Sequence, residues 1–337
     1  MAAYTTIDDP EAYFQAKTYT GTGSSNALTF DGDTDMQPDL VWIKSRSDAQ
    51  DHKLHDSVRG TNGGYYESLR ANSNAASDVT TDGAADNTGM STIGSDGFTV
   101  ISNNSHNGSS KTYVAWCWKE SATAGFDIVA YEGAGVGTET NVSHSLSAVP
   151  EFYTVKSRES VGNWQSYHHK MSSAPETDYI QLDGTGAVAD YTFWGDTAPT
   201  SSVFTVDDGD DVNAVEDYIT YLWRGVQGYS KFGSYTGNGN ADGPFIYLGF
   251  RPAWIMTKIT SGTDNWQVCD NKRDINNPVF SQLMPDSSDA QNDGDAKVDF
   301  LSNGFKVRKS GGSWNGSGST FIYMAFAEAP FVNSEGV

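Results

Sequence analysis

A series of six short blocks occurs three times, in the same order, along the 337 residues of the chain. Each copy of the series opens on a tyrosine followed by a glycine-rich turn, at Tyr19, Tyr131 and Tyr235. A proline then precedes an apolar segment that ends in lysine, and each copy closes on a run of large residues at 113–118, 218–223 and 321–326. Blocks that repeat in register indicate a repeated structural unit, so we expect three tandem units of roughly 105 residues.

The composition of the blocks predicts strands. They are rich in β-branched and aromatic residues and are bounded by Gly, Asn, Asp or Ser, which is typical of short strands. Many short strands with frequent turn signals favour antiparallel sandwiches or jelly rolls. We therefore predict an all-β fold of three tandem antiparallel β-sandwich domains behind a short N-terminal arm. The expected boundaries are 1–16 for the arm and 17–121, 122–226 and 227–337 for the repeats, which we name copies 1, 2 and 3.

The arm carries the helix signal of this sequence. Asp9 can cap a short helix whose first position is Pro10, because proline needs no hydrogen-bond partner for a backbone N–H there. We expect this arm to dock the chain on its assembly partners through Asp9, Pro10, Tyr13 and Phe14.

Two further local signals concern turns and loops. Asn107-Gly108 and Asn315-Gly316 lie just before the last block of their copies. Asn-Gly readily adopts positive φ, so we predict tight hairpin turns at both places. Residues 71–97 are polar and rich in small side chains, which predicts a surface excursion of copy 1.

The charge balance restricts the partners. The sequence has 43 acidic and 21 basic residues, a formal net charge of −22. Such a surface repels phosphate backbones and anionic lipid heads, so we expect no nucleic-acid binding and no membrane insertion. The start of the sequence lacks the basic and apolar regions of a signal peptide. We therefore expect folding in a reducing cytoplasm, with Cys117 and Cys269 as buried thiols.

Catalytic and metal-binding motifs are scarce. The sequence has no zinc-helix motif, nucleophile elbow or Walker loop, and its two cysteines and dispersed histidines do not form a zinc pattern. We therefore expect no enzyme activity, no cofactor and no metal site. Two alternatives stay open. Acidic turns such as 207–211 could hold Ca²⁺ loosely, and a carboxylate pair among the many acids could serve a glycosidase.

Aromatic residues are the candidates for ligand binding, because sugars stack on tryptophan and tyrosine rings. Tryptophans that recur between copies indicate packing residues, namely Trp118, Trp223, Trp164 and Trp266. Trp194 and Trp314 have no counterpart, and the glycine-rich loop around Trp314 leaves little to bury it. We name Trp314 and Trp194 as candidate glycan-binding residues, with packing on a neighbouring domain or subunit as the alternative.

The lysine after each proline recurs as Lys44, Lys156 and Lys258. We expect its stem to cover the core while its amine reaches a carboxylate. Asp56 and Asp270, twelve residues after the lysine, are the predicted partners in copies 1 and 3, and His168 takes that place in copy 2.

Several blocks together resemble a family of virion proteins of tailed bacteriophages, especially marine ones, classed as a domain of unknown function. The resemblance is carried by residues 7–15, 38–44, 56–60 and 113–119, and most closely by 229–239 and 322–331 of copy 3. It spans nearly the whole chain and implies a place on a phage particle after folding in the host cytoplasm. The family is similar in architecture to lectin-like sandwiches, an analogy of fold only. The resemblance brings no established activity and no site residues.

From the residues and the resemblance we predict a non-enzymatic structural protein of a virion. The expected role is a tail-fibre or tail-associated component that contacts the host surface, with host-surface polysaccharide as a candidate ligand. The expected partners are other virion proteins and further copies of the chain, as a homotrimer by analogy with phage fibres. A capsid decoration or head-fibre protein that stabilises the shell is the alternative, and a polysaccharide-degrading glycosidase is a more distant one.

Overall fold

A computed structural model of the chain describes residues 5–77 and 89–327. Within these residues the strands pair antiparallel in packed sheets, and helical turns are short. The prediction of an all-β, antiparallel fold of the β-sandwich type is confirmed. Residues 1–4 of the predicted arm, 78–88 of the predicted excursion and 328–337 of copy 3 lie outside the described residues.

Copy 1, with the end of the predicted arm, forms two sheets. Its strands are β1 (Phe14–Thr20), β2 (Asn26–Leu28), β3 (Leu40–Ser45), β4 (Lys53–Asp56), β5 (Thr61–Asn62), β6 (Tyr65–Tyr66), β7 (Leu69–Arg70), β8 (Met90–Gly94), β9 (Gly97–Val100) and β10 (Thr112–Trp118). One sheet has the order β1-β10-β3-β4-β7 and the other the order β2-β9-β8-β6-β5.

Copy 2 has the same plan. Its strands are β11 (Phe126–Glu132), β12 (Thr140–Ser143), β13 (Phe152–Ser157), β14 (Gln165–His168), β15 (Asp178–Gln181), β16 (Ala189–Asp190), β17 (Val203–Val206) and β18 (Asp217–Trp223). They form one sheet of order β11-β18-β13-β14-β15-β16 and a second sheet of β12 and β17.

Copy 3 repeats the plan again. Its strands are β19 (Ser230–Thr236), β20 (Phe245–Tyr247), β21 (Pro252–Ile259), β22 (Gln267–Asp270), β23 (Val298–Leu301), β24 (Gly304–Val307) and β25 (Thr320–Ala327). The sheets are β19-β25-β21-β22 and β20-β24-β23. We call the sheets that begin with β1, β11 and β19 the inner sheets and their partners the outer sheets. Within the described part of the chain, strand ladders stay inside each copy.

The inner sheets are covered on both faces. Every residue of β3 is buried; Val41 and Ile43 belong to a small core inside copy 1, whereas Leu40 and Trp42 belong to a larger one. Strands covered on both faces require unbroken apolar segments, which explains the composition of the blocks after the prolines. The larger core also contains residues of copies 2 and 3, so one apolar interior joins all three copies.

Three aromatic residues from the last strands meet in this shared core. The Trp118 ring lies 6.1 Å from that of Trp223 and 5.6 Å from that of Phe326, in both cases edge to face. Edge-to-face pairs add about 0.5–1.5 kcal/mol each beyond the burial of their area. The cavity beside them has a volume of about 10 Å³. That volume is the lower limit for one water molecule, and its largely apolar lining offers few partners, so we infer a dry centre.

Several local predictions need correction. The predicted helix of the arm is a single 3-10 turn, Pro10–Ala12, and β1 already begins at Phe14. Helical turns also occur where none was predicted, at Asp210–Asn213 and Gly312–Asn315. Within the predicted excursion 71–97, residues 90–94 form β8 of the outer sheet.

Tight turns begin at Gly108 and Gly316, closed by hydrogen bonds from Lys111 N and Ser319 N, but the positive φ predicted for Asn107-Gly108 and Asn315-Gly316 is wrong. None of these four residues has positive φ, and Gly316 has φ −54°. The left-handed positions lie two residues further on, at Ser110 with φ 62° and Gly318 with φ 73°. The asparagines are instead buried and bind the opening turn of their copy, as described below.

Candidate functional site at the junctions between copies

Loops cross from each copy to another in a fixed order. A loop of copy 1 pairs with copy 2, a loop of copy 2 with copy 3, and a loop of copy 3 with copy 1. The backbone hydrogen bonds are Gly162 N to Asn74 O at 2.9 Å, Asp264 N to Thr185 O at 3.0 Å, and Gln291 N to Arg46 O at 2.9 Å. Head-to-tail contacts that return to their starting point form a closed ring. The chain therefore closes a ring of three copies on itself.

A buried ring side chain lies against each of these loops. Trp164 of copy 2 donates its indole N–H to the Arg70 carbonyl of copy 1 at 2.8 Å. Trp266 of copy 3 donates in the same way to the Gln181 carbonyl of copy 2 at 2.8 Å. His52 stands at the equivalent place in copy 1, where burial lowers the pKa of its imidazole well below the ordinary value. The recurrent ring therefore packs at a junction.

The recurrent lysine also lies at the junction. Lys258 of copy 3 is fully buried, and its Nζ donates to the carbonyls of Thr185 and Gly186 in copy 2 at 3.0 and 2.8 Å. A third bond of 2.8 Å goes to the Asp264 carbonyl in its own copy. Three carbonyl oxygens thus saturate the ammonium donors.

The other two lysines bind carbonyls in the same manner. Lys44 Nζ donates to the Ser288 carbonyl of copy 3 at 3.2 Å, and Lys156 Nζ to the Ser157 carbonyl of its own copy at 2.9 Å. Burial lowers the pKa of all three lysines, Lys44, Lys156 and Lys258, to about 8. Nearby carboxylates offset only part of that shift.

The predicted lysine–carboxylate pairs are wrong, because arginine binds both carboxylates. Arg59 Nε lies 2.5 Å from Asp56 Oδ2, and Arg273 Nε lies 2.5 Å from Asp270 Oδ2, with all four side chains shielded from solvent. The arginine follows its aspartate by three residues, and the other carboxylate oxygen accepts the arginine backbone N–H. A compact turn therefore supplies the carboxylate with a guanidinium partner.

An aromatic residue of another copy completes each ion pair. Tyr221 of copy 2 donates its hydroxyl to Asp56 Oδ2 of copy 1 at 2.7 Å. Trp116 of copy 1 donates its indole N–H to Asp270 Oδ2 of copy 3 at 2.9 Å. These bonds link neighbouring copies in the same cyclic order as the loops.

His168 takes the place of the aspartate in copy 2, where Met171 stands at the position of the arginine. Its Nδ1 accepts the Lys170 backbone N–H at 3.0 Å, and its Nε2 lies 3.2 Å from the Tyr323 carbonyl of copy 3. Burial lowers the pKa of His168 to about 3, so the imidazole is neutral at pH 7. A neutral imidazole has one acceptor and one donor, which matches these two partners.

A buried asparagine holds the opening turn of each copy, and the sequence analysis missed this role. The side-chain oxygens of Asn107, Asn213 and Asn315 accept the backbone N–H of Thr22, Ala134 and Asn238 at 2.8, 3.0 and 2.7 Å. The Asn213 Nδ2 also donates to the carbonyls of Gly135, Thr138 and Asp207. The available signal was an asparagine shortly before the last block of every copy, with or without glycine behind it.

The candidate glycan residues Trp314 and Trp194 are both fully buried. Trp314 lies in the helical turn Gly312–Asn315 and donates its N–H to Gln282 Oε1 at 3.0 Å. Trp194 donates to the Asp178 carbonyl at 2.9 Å. The expectation that the loop leaves Trp314 exposed is wrong, because the loop folds into a helical turn that directs the ring inward. Neither ring offers a face to a sugar in this structure.

The candidate assembly residues of the arm contact the chain itself. Phe14 stacks on Phe326 of copy 3 at 5.3 Å, and Tyr13 meets Tyr229 edge to face at 6.3 Å. Asp9 Oδ1 accepts the Glu11 N–H at 3.0 Å, and Pro10 is buried. These contacts lie where copies 1 and 3 meet, and docking of the arm on other proteins stays a prediction.

The sequence analysis did not identify two aromatic residues that lie on the surface. Phe245 and Tyr247 of β20 are 45 % and 56 % exposed, with the buried Ile246 between them. The available signal was a pair of large aromatic residues on either side of an apolar one, where copies 1 and 2 have small or polar residues at the two flanking positions.

Searches for other kinds of site concern residues 5–77 and 89–327 only. Within them, no three His, Cys, Asp or Glu side chains are arranged to hold a metal ion. Across that same part of the chain, no helix has the length and apolar character needed to cross a bilayer.

Comparison with protein families identifies a match over most of the chain. A protein-family model described as Domain of unknown function (DUF7483) matches residues 9–330. No curated protein matches the chain.

Proposed function

The chain belongs to the DUF7483 family, and we propose that it is a non-enzymatic structural protein of a tailed-phage virion. Its proposed role is a tail-fibre or tail-associated component that contacts the host surface. The blocks that resemble phage virion proteins support this placement, and the use of the recurrent side chains supports a structural role.

The observation that carries the structural role is the chemistry of the junctions. The recurrent lysine, ring, acid and asparagine positions bind atoms of the chain itself, many of them in another copy. A catalytic group needs access to a substrate and a positioned partner beside it. Polar residues that are buried and hydrogen-bonded to their own chain are typical of a structural role.

We further propose that the three copies are tandem β-sandwich domains of the jelly-roll or lectin-like type, with boundaries near 17–121, 122–226 and 227–337. The common strand order of the inner sheets supports this division, as does the pairing of the named strands, which stays inside each copy. The shared core implies that such domains depend on one another for stability.

Labelling of intact particles tests the proposed location. Antibodies against the purified chain, carried on gold, are applied to virions and viewed by electron microscopy. Label on the tail supports the proposal. Label on the shell contradicts the tail assignment and favours the capsid-decoration alternative. Absence of the chain from purified particles, checked by immunoblotting, overturns the virion assignment.

Two solution measurements test the remaining parts of the proposal. Light scattering on the purified chain of 36.4 kDa gives its oligomeric state; three times this mass supports the homotrimer, and the mass of one chain contradicts it. Release of reducing ends from host polysaccharide by the purified chain would contradict the non-enzymatic role and favour a glycosidase.

A further inference from the structure

Copy 3 presents an exposed surface that the junctions do not use. Phe245 and Tyr247 alternate with the buried Ile246 on β20, which lies at the edge of its outer sheet. Alternate residues of a strand point to the same side, about 7 Å apart. Both rings therefore lie on the solvent side of this sheet, and we call the surface around them the aromatic face.

A glycine on the neighbouring strand leaves space for the Phe245 ring. Gly304 of β24 is the cross-strand partner of Tyr247. A Cβ atom at Gly304 would lie 3.0 Å from Cζ of Phe245 and 2.1 Å from the Ile246 carbonyl oxygen. The Phe245 ring thus lies beside Gly304, toward the position of Tyr247. A larger residue at 304 would clash with the Ile246 backbone and with the Phe245 ring.

Charged side chains border the aromatic face. Lys306 is the cross-strand partner of Phe245, and Asp299 is the partner of Lys306 on the next strand. Direct cross-strand partners share a face of the sheet. Lys306 Nζ lies 2.6 Å from Asp242 Oδ1, and Arg308 Nε lies 3.5 Å from Asp299 Oδ2. The rings therefore lie next to paired groups that can both donate and accept hydrogen bonds.

Tyr247 has an additional cationic neighbour. Lys231 Nζ lies 5.4 Å from the centre of the Tyr247 ring and donates to the Tyr247 carbonyl at 2.7 Å. This contact limits the positions that the exposed ring can take. A ring that is already fixed loses less conformational freedom when a ligand stacks on it.

The fold itself does not require aromatic residues at these positions. The residues that match Phe245 and Tyr247 in register are Ala27 and Thr29 in copy 1 and Asn141 and Ser143 in copy 2. The equivalent edge strands form with those small and polar residues. Copy 3 alone thus exposes two adjacent rings in the part of the chain that the structure describes.

We propose that the aromatic face binds a neutral carbohydrate chain; its origin on the host surface rests on the proposed function. The apolar faces of sugar rings stack on exposed aromatic rings, and their hydroxyls need both donors and acceptors nearby. Two of the three cations beside the face, Lys306 and Arg308, already have a carboxylate partner, which leaves Lys231, bound to the Tyr247 carbonyl, to attract an anionic ligand. The net charge of −22 opposes a polyanion as well.

Binding to immobilised polysaccharide tests this proposal. The probe is the neutral polysaccharide fraction extracted from cells that the phage infects, and binding of the full chain is measured by surface plasmon resonance. The double variant Phe245→Asn/Tyr247→Ser gives the edge strand the residues of copy 2, so we expect it to fold. We expect its affinity to fall about tenfold, which corresponds to about 1.4 kcal/mol, because both stacking rings are lost.

The matched control is Val215→Ser, which removes a side chain of copy 2 that is 72 % exposed. This variant is expected to bind as the unaltered chain does, and circular dichroism checks the fold of both variants. Equal binding by the double variant and the unaltered chain would overturn the proposal. So would the absence of binding, or binding abolished by 0.5 M NaCl, which would indicate an anionic ligand.

The outcomes separate this proposal from the proposed function. If gold label lies on the tail but the double variant binds normally, the aromatic face is refuted and the virion role stands. If binding depends on the two rings but particles lack the chain, the carbohydrate site stands and the virion role is refuted. A loss of self-association in the double variant, with unchanged binding to the polysaccharide, would identify the face as a contact between chains and overturn the carbohydrate proposal.

Discussion

The indole N–H of Trp116 in copy 1 donates a 2.9 Å hydrogen bond to Asp270 of copy 3, the carboxylate that also binds Arg273 at 2.5 Å. The buried ion pair of one copy is therefore completed by a side chain far away in sequence. Because the charges are shielded from water, removing one of them leaves the other without compensation. This relationship makes the junction between copies 3 and 1 sensitive to single substitutions.

Asp270→Asn should destabilise the chain strongly. The substitution keeps the shape of the side chain but leaves the guanidinium of Arg273 buried and unpaired, which costs about 3–5 kcal/mol. The free energy of unfolding in urea measures the effect. The control is Lys111→Ala, which removes an exposed ion pair with Asp48 and should cost less than about 1 kcal/mol. Similar losses in the two variants would refute the role given to the buried pair.

Asn213→Ala should destabilise copy 2 at its opening turn. The change removes the acceptor of the Ala134 N–H and the donor to three carbonyls. Each buried polar group left unsatisfied costs roughly 1–3 kcal/mol, so we expect a loss of at least about 2 kcal/mol by urea unfolding. Ser143→Ala, an exposed change in the same copy, is the control. A loss below about 0.5 kcal/mol for Asn213→Ala would contradict the assignment.

The buried lysines should make stability rise with pH in alkaline solution. The pKa of Lys258 is about 8 in the folded chain and has its ordinary value near 10.5 in the unfolded chain. Between these values the unfolded state binds more protons, so stability increases with pH, by up to about 1.4 kcal/mol per pH unit. The difference in unfolding free energy between the unaltered chain and Lys258→Met should therefore grow in favour of the unaltered chain from pH 8 to 10. A constant difference would contradict the prediction.

Asp183→Asn should show the opposite trend in acid. Asp183 Oδ1 accepts the backbone N–H of Trp164 at 3.0 Å, and burial raises the pKa of its carboxyl from 3.8 to about 6. Between those values the folded state binds more protons, so the unaltered chain loses stability as pH rises. In copy 1, Asn72 Oδ1 accepts the backbone N–H of His52 at 2.8 Å, so asparagine fits this place. Relative to the unaltered chain, Asp183→Asn should gain stability between pH 4 and 6, and a flat difference would refute this account.

The shared core predicts one unfolding transition for the whole chain. Leu40, Tyr153 and Phe326 of the three copies belong to the same apolar cluster, so loss of one copy exposes buried surface of the others. Calorimetry should give a single peak whose calorimetric and van't Hoff enthalpies agree. Separate peaks for the three copies would show that each copy is stable alone.

The fold class could be predicted because its signals are local. β-Branched and aromatic blocks bounded by turn residues specify strands, and unbroken apolar segments such as that of β3 specify burial on both faces. The order of the strands within a sheet depends on contacts between distant segments. The repeat indicates that the three units have the same strand order, but it does not show what that order is.

The partners of the buried polar residues could not be predicted from spacing. Asp56 stands twelve residues after Lys44, which suggested a pair, but Arg59 reaches Asp56 within a single turn. Sequence spacing alone does not show whether Lys44 or Arg59 binds Asp56. The prediction that Trp314 is exposed failed for a related reason. The glycines around it indicate a loop, but they do not show that the loop turns the tryptophan inward, toward Gln282.

The hydrogen bond from Gln291 to Arg46 has a consequence for how such a chain can evolve. The surface of copy 1 that could receive another unit is already taken by copy 3. A fourth unit inserted in tandem would have to break this contact or remain outside with its own edge uncovered. The closed ring therefore holds three units, and within it new surfaces arise by lengthening loops or altering strands that face outward.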